Sequence, residues 1–129
     1  MRFTLIDEVL ESAPDRIVAV KNVTAAEEYL GDHFPGFPVL PGVFMVEAMV
    51  QAARRLLRET GRPRAVLGGV RALRYGSFVR PGESLRVEVV LDGDAAGEVV
   101  GFRGTGTVVR PDGGTETAVS GRFTMRDRR

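Results

Sequence analysis

The sequence predicts an α+β fold in which a curved antiparallel sheet wraps around one long buried helix. Three observations predict it. One stretch from about Pro41 to Thr60 is almost wholly apolar over its first half and has helical length. Several later segments alternate apolar and polar residues, the period of a half-buried strand. The connections between them are short, which demands antiparallel pairing.

The elements follow in order. Phe3 to Glu11 is expected to enter as a short irregular or helical piece. Arg16 to Val23 is β-branched and apolar, and reads as a strand. Thr24 with Glu27 three residues on resembles a capping box for a short helix through Leu30, ended by Gly31. Pro35, Pro38 and Pro41 then stiffen a loop, because proline fixes its own φ and extends its predecessor. Pro41 stands near a helix start, where its missing N–H does no harm. From Val43 to Ala53 the helix is apolar on every side except at Glu47 and Gln51, which predicts burial. It runs to about Thr60, with Gly61 as C′ residue and Arg54, Arg55 and Arg58 where it reaches water. Ala65 to Tyr75 reads as a strand with a bulge at Gly68–Gly69. Leu85 to Leu91 alternates cleanly, and Val99 to Val109 and Thr117 to Met125 form two more strands around a Pro111-Asp112-Gly113-Gly114 turn.

The totals narrow the class. A chain of 129 residues suits one domain spanning 1–129, and a hydrophobic fraction of 43% excludes disorder. The chain has no cysteine, hence no disulfides and no thiolate ligands or nucleophiles, which suits a reducing cytoplasm. Asp7 and Glu8 interrupt any signal-like apolar run, and no segment approaches the ~20 apolar residues that span a bilayer. Net charge is +1, yet residues 54–86 hold nine Arg against two Glu and carry +7. That segment is either a solvated face or a docking surface for an acidic partner. Nucleic acid fits less well, since no aromatics interleave with the arginines.

Two residues stand out chemically. A carboxylate on a buried helix is rare unless paired, so Glu47 is expected to be neutralised or to have a raised pKa. No Lys or Arg lies within a turn of it, and Gln51 at i+4 shares its face. The alternative is a structural Glu bound to a backbone group or facing a subunit interface. His33 is the only histidine and precedes the stiff loop that leads to Glu47. A proton-accepting His and a proton-donating carboxyl form a matched acid–base pair. Gly42, at the helix start beside Val43, has no side chain to keep a ligand from its N–H, which fits an oxyanion hole or a plain turn glycine.

The stretch from His33 to Gln51, HFPGFPVLPGVFMVEAMVQ, resembles the FabZ-type 3-hydroxyacyl-acyl-carrier-protein dehydratases. The likeness extends to Leu5–Leu10, Ile17–Thr24, Gly69–Tyr75 and Arg80–Glu83. It implies a hot-dog fold and dehydration of a (3R)-hydroxyacyl thioester, with His33 and Glu47 catalytic and no cofactor or metal. It implies a homodimer in which His33 of one chain faces Glu47 of the other, with trimers of dimers, hexamers, also known in the family. Substrate would arrive on the phosphopantetheine arm of an acidic acyl carrier protein, for which Arg54, Arg55, Arg58 and Arg80 are loose contact candidates. Tyr75 matches an aromatic near the substrate tunnel. The chain departs from the family after Tyr75, where Gly76, Ser77 and Phe78 replace a basic pair and a proline. Glu47, rather than Asp, leans toward simple dehydration without isomerisation. The rival readings are a hot-dog thioesterase and a non-catalytic paralogue that binds carrier protein.

Overall fold

A computed structural model of the chain describes residues 5–24 and 39–128. The expected capping-box helix, Pro35, Pro38 and His33 lie outside the described residues. Seven elements follow in order: β1 Glu8–Ala13, β2 Arg16–Asn22, α1 Gly42–Glu59, β3 Ala65–Tyr75, β4 Ser84–Leu91, β5 Val99–Val109 and β6 Thr115–Asp127.

The strands form one antiparallel sheet in the order β1-β2-β4-β5-β6-β3. Alternation decides which way each strand faces. Leu85, Val87 and Val89 of β4, Phe102 of β5, and Phe123 and Met125 of β6 are buried. Met45, Ala48, Met49, Ala52, Ala53, Leu56 and Leu57 of α1 join them in one core cluster. The helix thus lies against one face of the sheet, the hot-dog arrangement. Arg86, Arg103, Arg122 and Arg126 occupy the intervening, exposed positions on the other face.

The α1 boundaries match the sequence reading. Pro41 is the N-cap, Thr60 the C-cap, and Gly61 takes the left-handed conformation with φ +92°. Beyond it, the Arg62 guanidinium donates to the carbonyls of Ala95 at 2.9 Å, Gly97 at 2.7 Å and Glu98 at 3.2 Å, and pairs with Asp127 at 3.1 Å. One side chain therefore ties the helix exit to the β4–β5 connection and to the end of β6.

Two expectations need correction. The segment read as irregular or helical before Glu11 is strand β1 from Glu8 onward. Its sequence, EVLESA, shows no clean alternation because both its faces are largely exposed. Hairpin pairing with β2 across Pro14-Asp15 supplies the backbone hydrogen bonds that local pattern does not reveal. The second correction concerns the helix. It is not buried on all sides: Val43, Glu47, Gln51 and Arg54 line a stripe that the sheet leaves uncovered, and Val43 is 66% exposed.

Strand β3 stands apart. It is an edge strand of 11 residues, almost entirely exposed. Its register against β6 slips at Leu67/Gly69, the expected bulge, and again between Arg71 and Arg74, where Ala72 has φ +53°. Leu67, Val70, Leu73 and Tyr75 are exposed along it.

Candidate active site

The N-terminal turn of α1 has no side-chain cap and no acidic residue. The Pro41 carbonyl accepts the Phe44 N–H at 2.9 Å and the Met45 N–H at 3.2 Å. The Gly42 and Val43 N–H groups are left at the positive end of the helix dipole, where the helix itself offers no acceptor. Tyr75, the last residue of β3, lies over this turn. A Cβ placed on Gly42 would stand 2.8 Å from Tyr75 Cε1 and 2.9 Å from Cζ.

This contact makes a prediction. Gly42→Ala leaves folding intact, since the ring it meets is 53% exposed and can swing aside, and Ala is the better helix former. Displacing the ring from the helix start should still lower kcat/KM about tenfold or more, within the ~10²-fold cost of misplacement near a reacting centre. Thermal melts and initial rates on the same preparation check it; unchanged kcat/KM refutes a site role for this turn.

Glu47 projects from the uncovered stripe. Its side chain is 41% exposed, so the burial expected from the helix pattern is absent in the single chain. Gln51 Nε2 donates to Glu47 Oε1 at 3.4 Å, as its i+4 spacing predicts. Gln51 Oε1 in turn accepts the Leu5 N–H at 2.8 Å. The segment before β1 therefore orients the amide that orients the carboxyl.

A cation also reaches Glu47. Arg54 Nη1 lies 4.0 Å from Glu47 Oε1, while Arg54 Nε donates to the Ala65 carbonyl at 3.3 Å. Arg54 lies beyond the single turn within which Glu47 has no basic neighbour. Two helical turns, seven residues, return to the same face, and that spacing was the available signal. The Leu5–Gln51 bond had no comparable signal.

The Gly76-Ser77 segment after Tyr75 ties β3 back to β6. Gly76 N–H donates to the Ala118 carbonyl at 2.8 Å and Ser77 N–H to the Thr117 carbonyl at 3.0 Å. A Cβ on residue 76 would fall 2.3 Å from the Thr117 carbonyl oxygen, so a side chain there would force the strands apart. The Ser77 hydroxyl donates to Glu116, which Arg110 also meets at 3.3 Å. Together these hold the Glu116 carboxyl below the usual range, the Ser77 bond contributing most. Arg110 bridges onward to Glu83 at 3.3 Å.

The remaining candidates do not share one surface. Arg54 turns into the site, Arg55 pairs with Glu59 at 3.6 Å, and Arg58 is exposed in the last helical turn. Arg80 lies at the opposite end of the helix, where the neighbouring Val79 carbonyl accepts the Leu40 N–H at 2.8 Å. His33 lies outside the described residues, so its approach to Glu47 is not part of this geometry. Among the described residues, no His, Asp or Glu cluster could hold a metal ion, and no helix is long and apolar enough to cross a membrane.

Comparison with known proteins places this arrangement. The model of a family described as ApeI-like, ApeI dehydratase, matches residues 10–109. The chain is 44% identical over 111 residues to the 3-hydroxyacyl-acyl-carrier-protein dehydratase FabZ of Thermus thermophilus, covering 82% of this chain and 72% of that one. It is 46% identical over 91 residues to the FabZ of Bacillus cereus, covering 67% and 63%. Among solved structures, the dehydratase heterocomplex ApeI:P from Xenorhabdus doucetiae superimposes with a TM-score of 0.69 at 17% identity, over 97% of this chain and 99% of that chain. An acyl-CoA hydrolase from Bacillus cereus superimposes with a TM-score of 0.70 at 15% identity, over 88% and 66%. At such identities the two structures establish a shared hot-dog fold.

Proposed function

The chain belongs to the ApeI-like dehydratase family, and from that membership we propose that it converts (3R)-hydroxyacyl thioesters of acyl carrier protein to trans-2-enoyl thioesters and water. The observation that carries the reading is Glu47, held by Gln51 on the uncovered stripe of α1, on a helix whose N-terminal turn is open beneath Tyr75.

In this reading His33 takes the C2 proton and the C2–C3 double bond forms as the C3–O bond breaks. Glu47 donates a proton to the departing hydroxyl, which leaves as water. The Gly42 N–H, with Val43 beside it, meets the negative charge that develops on the thioester oxygen. Gln51 and Arg54 position the Glu47 carboxyl rather than touch substrate. The reaction is proton transfer and needs no metal or organic cofactor. An enzyme of this class works in the cytoplasm, where carrier protein delivers the acyl chain.

The site is completed by a second copy of the chain. An exposed edge strand is a template for pairing, and β3 presents one of 11 residues with Leu67, Val70 and Leu73 exposed along it. Pairing β3 with a partner's β3 covers these residues and the Val43–Glu47 stripe, and brings the partner's His33 to Glu47. The desolvation that makes a carboxyl a good proton donor then comes from the dimer. Trimers of such dimers follow the same pattern.

Turnover of purified protein on 3-hydroxyacyl carrier-protein substrates of varied chain length tests the reading. Enoyl absorbance without free thiol is expected. Release of thiol would instead identify a hydrolase, the activity of one of its structural neighbours.

A further inference from the structure

The face of the sheet turned away from α1 carries a row of arginines. In the strand register, Arg71 of β3 stands beside Arg122 of β6, and Arg122 beside Arg103 of β5. Arg74 and Arg126 flank the row on the same face, opposite Ser120 of β6 and Val66 of β3 respectively. All five are exposed. Like charges directly across strands are destabilising, so three in line require a counter-charge.

The fold supplies counter-charges elsewhere and not here. Arg16 meets Glu11 and Glu88, Arg110 meets Glu83 and Glu116, and Arg62 meets Asp127. Among the described residues, no carboxylate lies within ion-pairing distance of Arg71, Arg74, Arg103, Arg122 or Arg126. Among the described residues, the β3–β6–β5 part of the outer face therefore gathers cations and leaves them unopposed, the carboxylate of Glu88 farther along the same face being taken up by Arg16.

We propose that this row is the docking surface for an acidic helix of a partner protein that assembles with the enzyme without delivering its substrate. Spacing selects a helix. Adjacent strands place the arginines about 5 Å apart, and carboxylates three or four residues apart on a helix are separated by about 5–6 Å. A helix laid across β3, β6 and β5 meets one guanidinium with each successive carboxylate, and arginine binds carboxylates with two parallel hydrogen bonds. A single-stranded nucleic acid would need aromatics for its bases, but Phe102 and Phe123 are buried and Tyr75 lies over the helix. A lipid surface would need large aromatic or aliphatic anchors; Thr105, Ser120 and Thr124 surround the central Arg122, and the apolar outward neighbours, Val66, Val90 and Val99, are short side chains at the margins of the row. The sheet itself lies between the row and Glu47, so a partner bound here does not present an acyl arm to the site. If β3 pairs with a second copy, the two rows run together and the need for opposing charge grows.

The test uses the full chain and its triple variant Arg71→Thr/Arg103→Thr/Arg122→Thr. The probe is a helical alanine-based peptide with Glu on one face, compared with a peptide of equal charge whose Glu residues are scattered around the helix. The one-face peptide should bind the wild type, weaken with salt, and lose about tenfold in affinity to the variant, the sum of three exposed ion pairs. Turnover on carrier-bound substrate should be the same for both proteins. The single change Arg122→Thr should raise Tm by about 1–4 °C, because it removes the central repulsion. Equal binding of the scattered peptide, single-stranded DNA or phosphatidylglycerol vesicles overturns the acidic-helix partner. A tenfold fall in kcat/KM for carrier-bound substrate in the variant overturns the separation from substrate delivery. A lowered Tm for Arg122→Thr overturns the claim that the row is uncompensated.

Discussion

Glu47→Gln should lower kcat by at least about 10²-fold, the usual contribution of a positioned acid. The substitution keeps the size of the side chain and a polar partner for Gln51, and removes only the ability to give up a proton. Stability should change by no more than about 0.5 kcal/mol, because Gln fills the same space and the ion pair lost, to Arg54 at 4.0 Å, is long. A melt matching wild type with lost turnover separates chemistry from folding. His33→Ala should lose activity to a similar degree. Mixing the two inactive proteins should restore activity, since one of the two sites in a mixed dimer keeps both wild-type residues. Near-normal turnover by either single variant would remove that residue from the mechanism. Failure of the mixture after confirmed subunit exchange would argue that each chain completes its own site.

The second large effect is on stability. Phe102→Ala should cost about 3–5 kcal/mol. Phe102 is 1% exposed on the central strand β5, between β4 and β6. Its ring stacks on Phe123 with centroids 5.6 Å apart and planes 22° apart. Its strand is paired on both sides, so the cavity left behind has little freedom to collapse. Urea unfolding followed by circular dichroism gives the difference directly. A loss below about 1.5 kcal/mol would mean that this part of the core repacks around the void.

Residues whose environment is local were the most legible. The helix from Gly42 with its Pro41 start and Gly61 stop, the alternation of β4, and the Pro111–Gly114 turn each follow from side chains a few positions apart. The bulge in β3 was visible as Gly68–Gly69. Strand β1 was not, because a strand solvated on both faces has no apolar period to detect. The site divides the same way. Glu47 and its bond to Gln51 were readable from helical spacing. The exposure of Glu47 was not, because a count of apolar neighbours along a helix does not say how far round the sheet reaches. The position of β3 beside β6 rather than β4 had no signature in either strand.

That last placement bears on how the chain reaches its native state. Strand β3 emerges before β4, yet its partner β6 begins 40 residues after β3 ends. During synthesis the segment from Leu67 to Tyr75 waits unpaired while β4 and β5 form their hairpin. Pairings of such sequence separation carry a large loop-closure cost and make folding slow. For that interval an apolar strand has both edges open, which is the condition under which chains aggregate or engage chaperones. Gly68–Gly69 and Arg71 and Arg74, which weaken an isolated strand and add charge to it, are the features of β3 that blunt that hazard until β6 arrives.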